Sequence, residues 1–202
     1  SNLLLRKNHH YDEYKPGFLE KLLKGMKNMH DIADMYNRYV DDLFTYASYF
    51  GFPKEAIMDA IHDVFCKLAE DEQLLKRISN VKSYLFKSLK NRLYDIYRVQ
   101  KHDLSLSDIK NTDELPFNIN VSIEDDFIDA EEQAGIKKQI ETMLQSLTDR
   151  QREIVYLRYI QEYDYTQIAE ILNISIHGCR KLLSKAMETL REKYGSWIIF
   201  LL

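Results

Sequence analysis

Residues 164–193 leave the chain little choice but two helices meeting across a short turn. Asp164-Tyr165-Thr166-Gln167 is a capping box, in which an N-cap side chain and a glutamine three residues on satisfy each other's backbone donors. It opens a short helix carrying Ile168, Ala169, Ile171 and Leu172. Asn173-Ile174-Ser175 closes that helix, and Ser175 is a favourable N-cap for a last helix reaching about Lys193. Helices joined by so short a connector cross steeply, as in a helix-turn-helix. Just upstream, Thr148-Asp149-Arg150-Gln151 is a second box, opening a helix with Ile154, Val155 and Leu157.

On a helical wheel the last helix sends Ile176, Cys179, Leu182, Leu183, Ala186, Met187 and Leu190 to one side. The other side holds His177, Arg180, Lys181, Ser184 and Lys185. These side chains can reach base edges and phosphates, and they cluster where a recognition helix meets the major groove. A solvated charged face would explain the charges taken alone. The capped helix, the turn and the segregation together favour DNA. Cys179 faces inward, and its expected role is packing.

The rest of the chain reads as helix too. Glycine and proline number only 6 and 3 of 202 residues, so tight turns are scarce and an all-α fold is expected. A first helix presents Ile32, Met35, Tyr36, Tyr39, Leu43, Ala47 and Phe50 on one face and is broken by Gly51-Phe52-Pro53. A second buries Ile57, Ala60, Ile61, Val64, Phe65 and Leu68. Residues 70–80 read as a loop, and a third helix over 81–100 buries Leu85, Leu89, Leu93 and Ile96. Between 102 and 134 the period fails, and acids face a single basic residue, Lys110. This predicts an acidic flexible linker, with Leu115, Phe117 and Ile119 too sparse to make a core alone. The linker separates two small helical domains, an N-terminal bundle at 20–101 and a helix-turn-helix domain at 135–195. A tail precedes them at 1–19, and an apolar tail at 196–202 ends the chain.

The third helix carries Lys87, Asn91, Tyr94 and Arg98 on one stripe, with Lys82, Lys90 and Arg92 nearby. Cations hold phosphates while rings accept exposed base faces, which suits an unstacked strand. A plain amphipathic helix with lysines outside accounts for the same pattern. On the second helix Asp59, His62 and Asp63 share the outward stripe, with Cys66 close by. A structural zinc site would draw further Cys or His from elsewhere, so no metal is expected, and an acidic stripe able to dock a basic partner is.

Lys and Arg total 28 against 32 Asp and Glu, a net charge of -4, which excludes a polyanion binder basic all over. Two cysteines without C-x-x-C spacing suggest neither a disulfide framework nor a zinc knuckle. Leu3-Leu4-Leu5 is too short for a signal peptide core and the terminal apolar run too short for a bilayer span, so a cytoplasmic protein without membrane insertion is expected. No phosphate loop, dinucleotide fingerprint, G-x-S-x-G or H-E-x-x-H occurs, which argues against an enzyme and for no cofactor.

These residues resemble the bacterial RNA polymerase sigma factors of the sigma-70 family, extracytoplasmic-function (ECF) group. The likeness covers about residues 22–193. Met35-Tyr36-Asn37-Arg38-Tyr39 with Leu43 and Ala47 is similar to the family's opening helix, and Asp59-Ala60-Ile61-His62-Asp63-Val64-Phe65 to its core-binding segment. Tyr84-Leu85-Phe86 with Asn91 and Asp95-Ile96-Tyr97-Arg98 looks like the promoter-melting helix. Gln167-Ile168-Ala169-Glu170-Ile171-Leu172, Ile174-Ser175 and Lys185-Ala186 resemble the second DNA-binding domain. The resemblance implies that Asp59, His62 and Asp63 face core RNA polymerase. It implies that the stripe of Lys87, Asn91 and Arg98, with Lys82, Arg92 and Tyr94 and with the loop from Glu70 to Asn80, melts and captures promoter DNA near -10, and that His177, Arg180, Lys181, Ser184 and Lys185 read the -35 element. It further implies a linker threading a basic channel, an anti-sigma partner and no catalysis. A stand-alone helix-turn-helix repressor or activator is the alternative, and a non-DNA adaptor a third. His62 in place of glutamine, Gly178-Cys179-Arg180 in place of threonine-valine-lysine, and the tail after Gly195 depart from the family pattern. Gly178 leaves room for a close approach of backbone to DNA.

Overall fold

The computed structural model describes residues 29–104, 115–119 and 130–195, all helical apart from turns, caps and the short irregular stretch at 115–119. These fall into two compact units, residues 29–104 in one and 115–119 with 130–195 in the other.

In the N-terminal unit α1 (Met29–Ser48), α2 (Lys54–Glu70) and α4 (Val81–Leu104) pack on one another pairwise. Gly51, at φ 78, turns the chain out of α1, and Pro53 starts α2 without a side-chain cap, its fixed φ of -59 suiting that position. The faces expected to be apolar do meet. Tyr36, Leu43 and Ala47 of α1, Ile57, Ala60, Ile61, Val64, Phe65 and Leu68 of α2, and Leu85, Leu89 and Leu93 of α4 are buried. Val40, Phe44, Tyr46 and Phe86 widen that core, with Tyr46 5.0 Å from both Phe50 and Phe86, centroid to centroid. Met35, Tyr39 and Ile96, read as core, lie at its edge and are half-buried.

Residues 70–80 are not simply a loop. Asp71 accepts from the Gln73 and Leu74 amides at 3.0 Å each and caps a short helix α3 (Glu72–Arg77). Asn80 then caps α4 through the Ser83 amide at 2.9 Å. The third long helix runs past residue 100 to Leu104.

The C-terminal unit holds α5 (Ala130–Gln145), α6 (Asp149–Val155), a π-helical turn (Tyr156–Ile160), α7 (Tyr165–Leu172) and α8 (Ile176–Tyr194). Both capping boxes close reciprocally, Thr148 with Gln151 and Asp164 with Gln167. Asn173, left-handed at φ 52, ends α7, and Ser175 starts α8 by accepting from the Gly178 amide at 3.0 Å. Helices α6 and α7 both pack on α8.

Part of the stretch read as a linker belongs to this unit. Leu115, Phe117 and Ile119 are buried, and the Phe117 ring lies 5.8 Å from that of Tyr156. The Phe117 amide donates to Asp149 Oδ1 at 2.9 Å, and its carbonyl accepts from Arg152 Nε at 2.6 Å. Arg152 also donates to the Leu147 carbonyl at 2.6 Å and pairs with Asp149. Three alternate apolar residues are too few for a core of their own but enough to complete another, because a segment whose burial alternates sends i, i+2 and i+4 to one side.

Candidate nucleic-acid interface

The face of α8 expected to meet DNA is open to solvent. His177, Arg180, Lys181, Ser184 and Lys185 are all exposed, while Cys179, Leu183, Ala186 and Leu190 are buried behind them. The Cys179 thiol is pushed up by burial, against the pull of Arg150, which keeps it neutral and consistent with packing. Ile176 departs from the wheel: it sits in the first turn at the edge of the apolar stripe and is 41% exposed. Leu182 and Met187 are half-buried. The start of α8, where the first backbone amides lack intrahelical partners, adds partial positive charge at that end of the helix. Gly178 serves the cap as well as any approach to DNA, since a Cβ there would meet Ser175 Oγ at 3.2 Å.

Arg180, though exposed, lies beside an aromatic ring. Its guanidinium carbon lies 5.5 Å from the Tyr165 ring centroid, and that of Arg158 lies 5.2 Å from the same ring. Neither Arg158 nor Tyr165 stood out in the sequence, because the π-helical turn that carries Arg158 breaks the 3.6-residue period.

On α4 the six expected nucleic-acid residues separate into two sets. Asn91 and Arg98 are exposed, Lys87 and Tyr94 are half-buried, and the Arg98 guanidinium lies 5.9 Å from the Tyr94 ring. Lys82 and Arg92 instead turn towards the neighbouring helices. Lys82 pairs with Asp42 of α1 at 3.8 Å and lies 6.0 Å from the Phe86 ring. Arg92 donates to Asp63 of α2 through Nε and Nη2, at 2.7 Å each. Both flank the leucine stripe of α4, so their long side chains reach across the helix contacts.

The acidic stripe on α2 is likewise uneven. Asp59 is exposed, Asp63 is engaged with Arg92, and His62 is packed against Tyr36, with Nε2 3.2 Å from the Tyr36 hydroxyl. Burial lowers the His62 pKa from its ordinary value, with the Asp59 and Asp63 carboxylates pulling the other way. Burial and the Asp41 charge push the Tyr36 hydroxyl up to about 12. Cys66 is half-buried, and its thiol is raised by burial and by Asp63 and Glu70. Among the described residues no three His, Cys, Asp or Glu side chains are grouped to hold a metal ion, and no helix is long and apolar enough to cross a membrane.

A capped short helix, a left-handed asparagine turn and a solvent-facing basic helix define a helix-turn-helix module, and residues 137–190 match the family model for sigma-70, region 4. Across most of its length the chain is similar to two RNA polymerase sigma factors of the ECF group from Bacillus subtilis. SigM is 24% identical over 81% of this chain and 95% of its own, and SigX 24% identical over 79% and 84%. The fold is shared with the sigma factor RpoE, solved with the anti-sigma factor NepR from Bartonella quintana: the TM-score is 0.56 at 19% identity, covering 80% of this chain and 95% of that one. CnrH, solved with the cytosolic domain of CnrY, matches at a TM-score of 0.50 and 17% identity, over 87% and 93%. Residues 137–190 thus carry a sigma-70 region 4 domain, and the chain around them is similar to RNA polymerase sigma factors of the ECF group.

Proposed function

We propose that the chain is a sigma factor that binds core RNA polymerase and brings two separate surfaces to a promoter. The basic face of α8, His177, Arg180, Lys181, Ser184 and Lys185, reads the -35 element in the major groove. The α4 stripe of Lys87, Asn91, Tyr94 and Arg98 captures the strand opened near -10, with Tyr94 and Arg98 offering ring and cation to unstacked bases. Lys82 and Arg92 brace α4 against α1 and α2. Asp59, the exposed acid of its stripe, leads the contact with polymerase, and His62 and Asp63 shape the surface around it. The observation that carries this reading is the α8 face: five polar residues open to solvent opposite the buried Cys179, Leu183, Ala186 and Leu190, inside the region-4 match.

Residues 20–101 and 135–195 act as the two working domains, the second completed by 115–119, and the acidic residues between them outside that packed segment thread a basic channel of the polymerase by charge complementarity. A net charge of -4 fits a protein whose affinity for promoters comes mostly from the polymerase that carries it. The protein acts in the cytoplasm and catalyses no reaction of its own. RpoE was solved with an anti-sigma factor, and an anti-sigma factor is the matching partner here.

Gel filtration of the purified chain mixed with core polymerase tests the first step. Co-elution is expected. A chain that ignores polymerase yet binds one operator tightly is a stand-alone repressor or activator instead.

A further inference from the structure

Three side chains from three elements meet beside the α8 face. Tyr165 is the half-buried first residue of α7, and the guanidinium carbons of Arg158 and Arg180 lie 5.2 Å and 5.5 Å from its ring centroid. Both distances fall within the roughly 6 Å over which a cation is drawn to an aromatic face. Arg158 is itself fixed, since its Nη1 donates to the Tyr163 carbonyl at 2.9 Å.

The turn supplying Arg158 is locally unfavourable and is nevertheless kept. The Gln161 amide reaches the Tyr156 carbonyl in the wide π pattern, the Tyr163 amide bonds the Leu157 carbonyl, and Glu162 is left-handed at φ 56 without being glycine. Such features persist where the surroundings over-determine them, and π-turns gather at functional positions. Removing the inserted residue would rotate α6 by about 100° relative to the chain beyond the turn. Arg158 would then leave both Tyr163 and Tyr165.

We infer that Tyr165 is a positioning residue for Arg180: its ring, steadied by Arg158, holds the recognition-helix guanidinium in one orientation before DNA arrives. A guanidinium drawn to a ring on one side keeps the rest of its N–H fork available for bidentate contact with a base. A long side chain ordered in advance loses less rotamer freedom on binding. The inference rests on the assignment of the α8 face to the -35 element, and it extends the interface to α7 and the π-helical turn.

The test uses holoenzyme assembled from core polymerase and the full chain. Initiation is compared on a cognate promoter and on promoters altered at one -35 base pair at a time, for wild type, Arg180→Ala, Tyr165→Leu and Tyr165→Phe. Arg180→Ala is expected to lower discrimination about ten-fold at one base position. Tyr165→Leu lowers it about two- to five-fold at that same position, and Tyr165→Phe, which keeps the ring, restores it. Discrimination elsewhere in the element and the melting temperature stay as in wild type.

Full discrimination in Tyr165→Leu, alongside its loss in Arg180→Ala, overturns the positioning role and leaves the -35 assignment standing. No effect of Arg180→Ala at any position removes Arg180 as a reader and the positioning role with it. A uniform loss across the element with a lowered melting temperature assigns Tyr165 to the fold and also overturns the inference. Should Tyr165→Leu fail to fold, Arg158→Gln takes its place, with a loss of about two-fold expected at the Arg180-dependent position and no loss there overturning the inference.

Discussion

Arg92 donates to one carboxylate oxygen of Asp63 through both Nε and Nη2, each at 2.7 Å, and so ties α4 to α2. The two side chains are 41% and 44% exposed, and water screens a pair of that kind. Its contribution to stability is expected to stay below about 1 kcal/mol. A double-mutant cycle with Asp63→Ala and Arg92→Ala in urea measures the coupling. A value near 3 kcal/mol would contradict the picture of a screened brace.

His62 gives the N-terminal unit a pH dependence of predictable sign. Its pKa is lowered in the fold by burial against Tyr36, despite the opposing pull of Asp59 and Asp63, so the unfolded chain takes up the proton first. This contribution is therefore present above the unfolded value of about 6.5, is lost as pH falls through it, and levels off below the folded pKa. His62→Gln removes the titration. Urea midpoints at pH 7.5 and 5.5 are expected to differ less in the variant than in wild type; an equal difference would contradict the assignment.

Phe117 lies outside every helix and is fully buried. Phe117→Ala is expected to cost about 3–5 kcal/mol, as for a core phenylalanine. Arg152→Ala strips the donor from the Phe117 and Leu147 carbonyls and is expected to cost about 2 kcal/mol. Denaturant unfolding reads both. A cost under about 1 kcal/mol for Phe117→Ala would mean that residues 115–119 are not part of the C-terminal core.

Ser175→Ala deletes the cap of α8 and is expected to cost about 1 kcal/mol. Gly178→Ala gains helix propensity but crowds Ser175 Oγ, so its net change is expected to stay well below the full gain of about 1 kcal/mol. Thermal melts of the two variants check both values.

What the sequence made legible was local. The capping boxes at Thr148 and Asp164, the Ser175 cap and the buried face of α2 arise from interactions between residues three or four apart. The pairing of Arg92 with Asp63 spans 29 positions, and that of Phe117 with Arg152 spans 35, so no periodicity announces either. The charges of Lys82 and Arg92 are plain in the sequence but their ion pairs are not, because long side chains at the edge of a helix contact reach acids on the neighbouring helix. Ile176 read as core because a wheel has no ends, whereas the first turn of a helix has little packed over it. The π-helical turn inserts a residue that a 3.6-residue template cannot register, and Arg158 and Tyr165 were hidden with it.

Run-off transcription tests the central claim most directly. Core polymerase is supplied with the full chain or with the Arg180→Ala, Lys181→Ala double variant, on a promoter with an intact or a scrambled -35 element. The wild-type chain should start RNA at one position only when -35 is intact, and the variant should still bind polymerase but lose that dependence. RNA synthesis that begins no more specifically with the chain than without it would contradict the account.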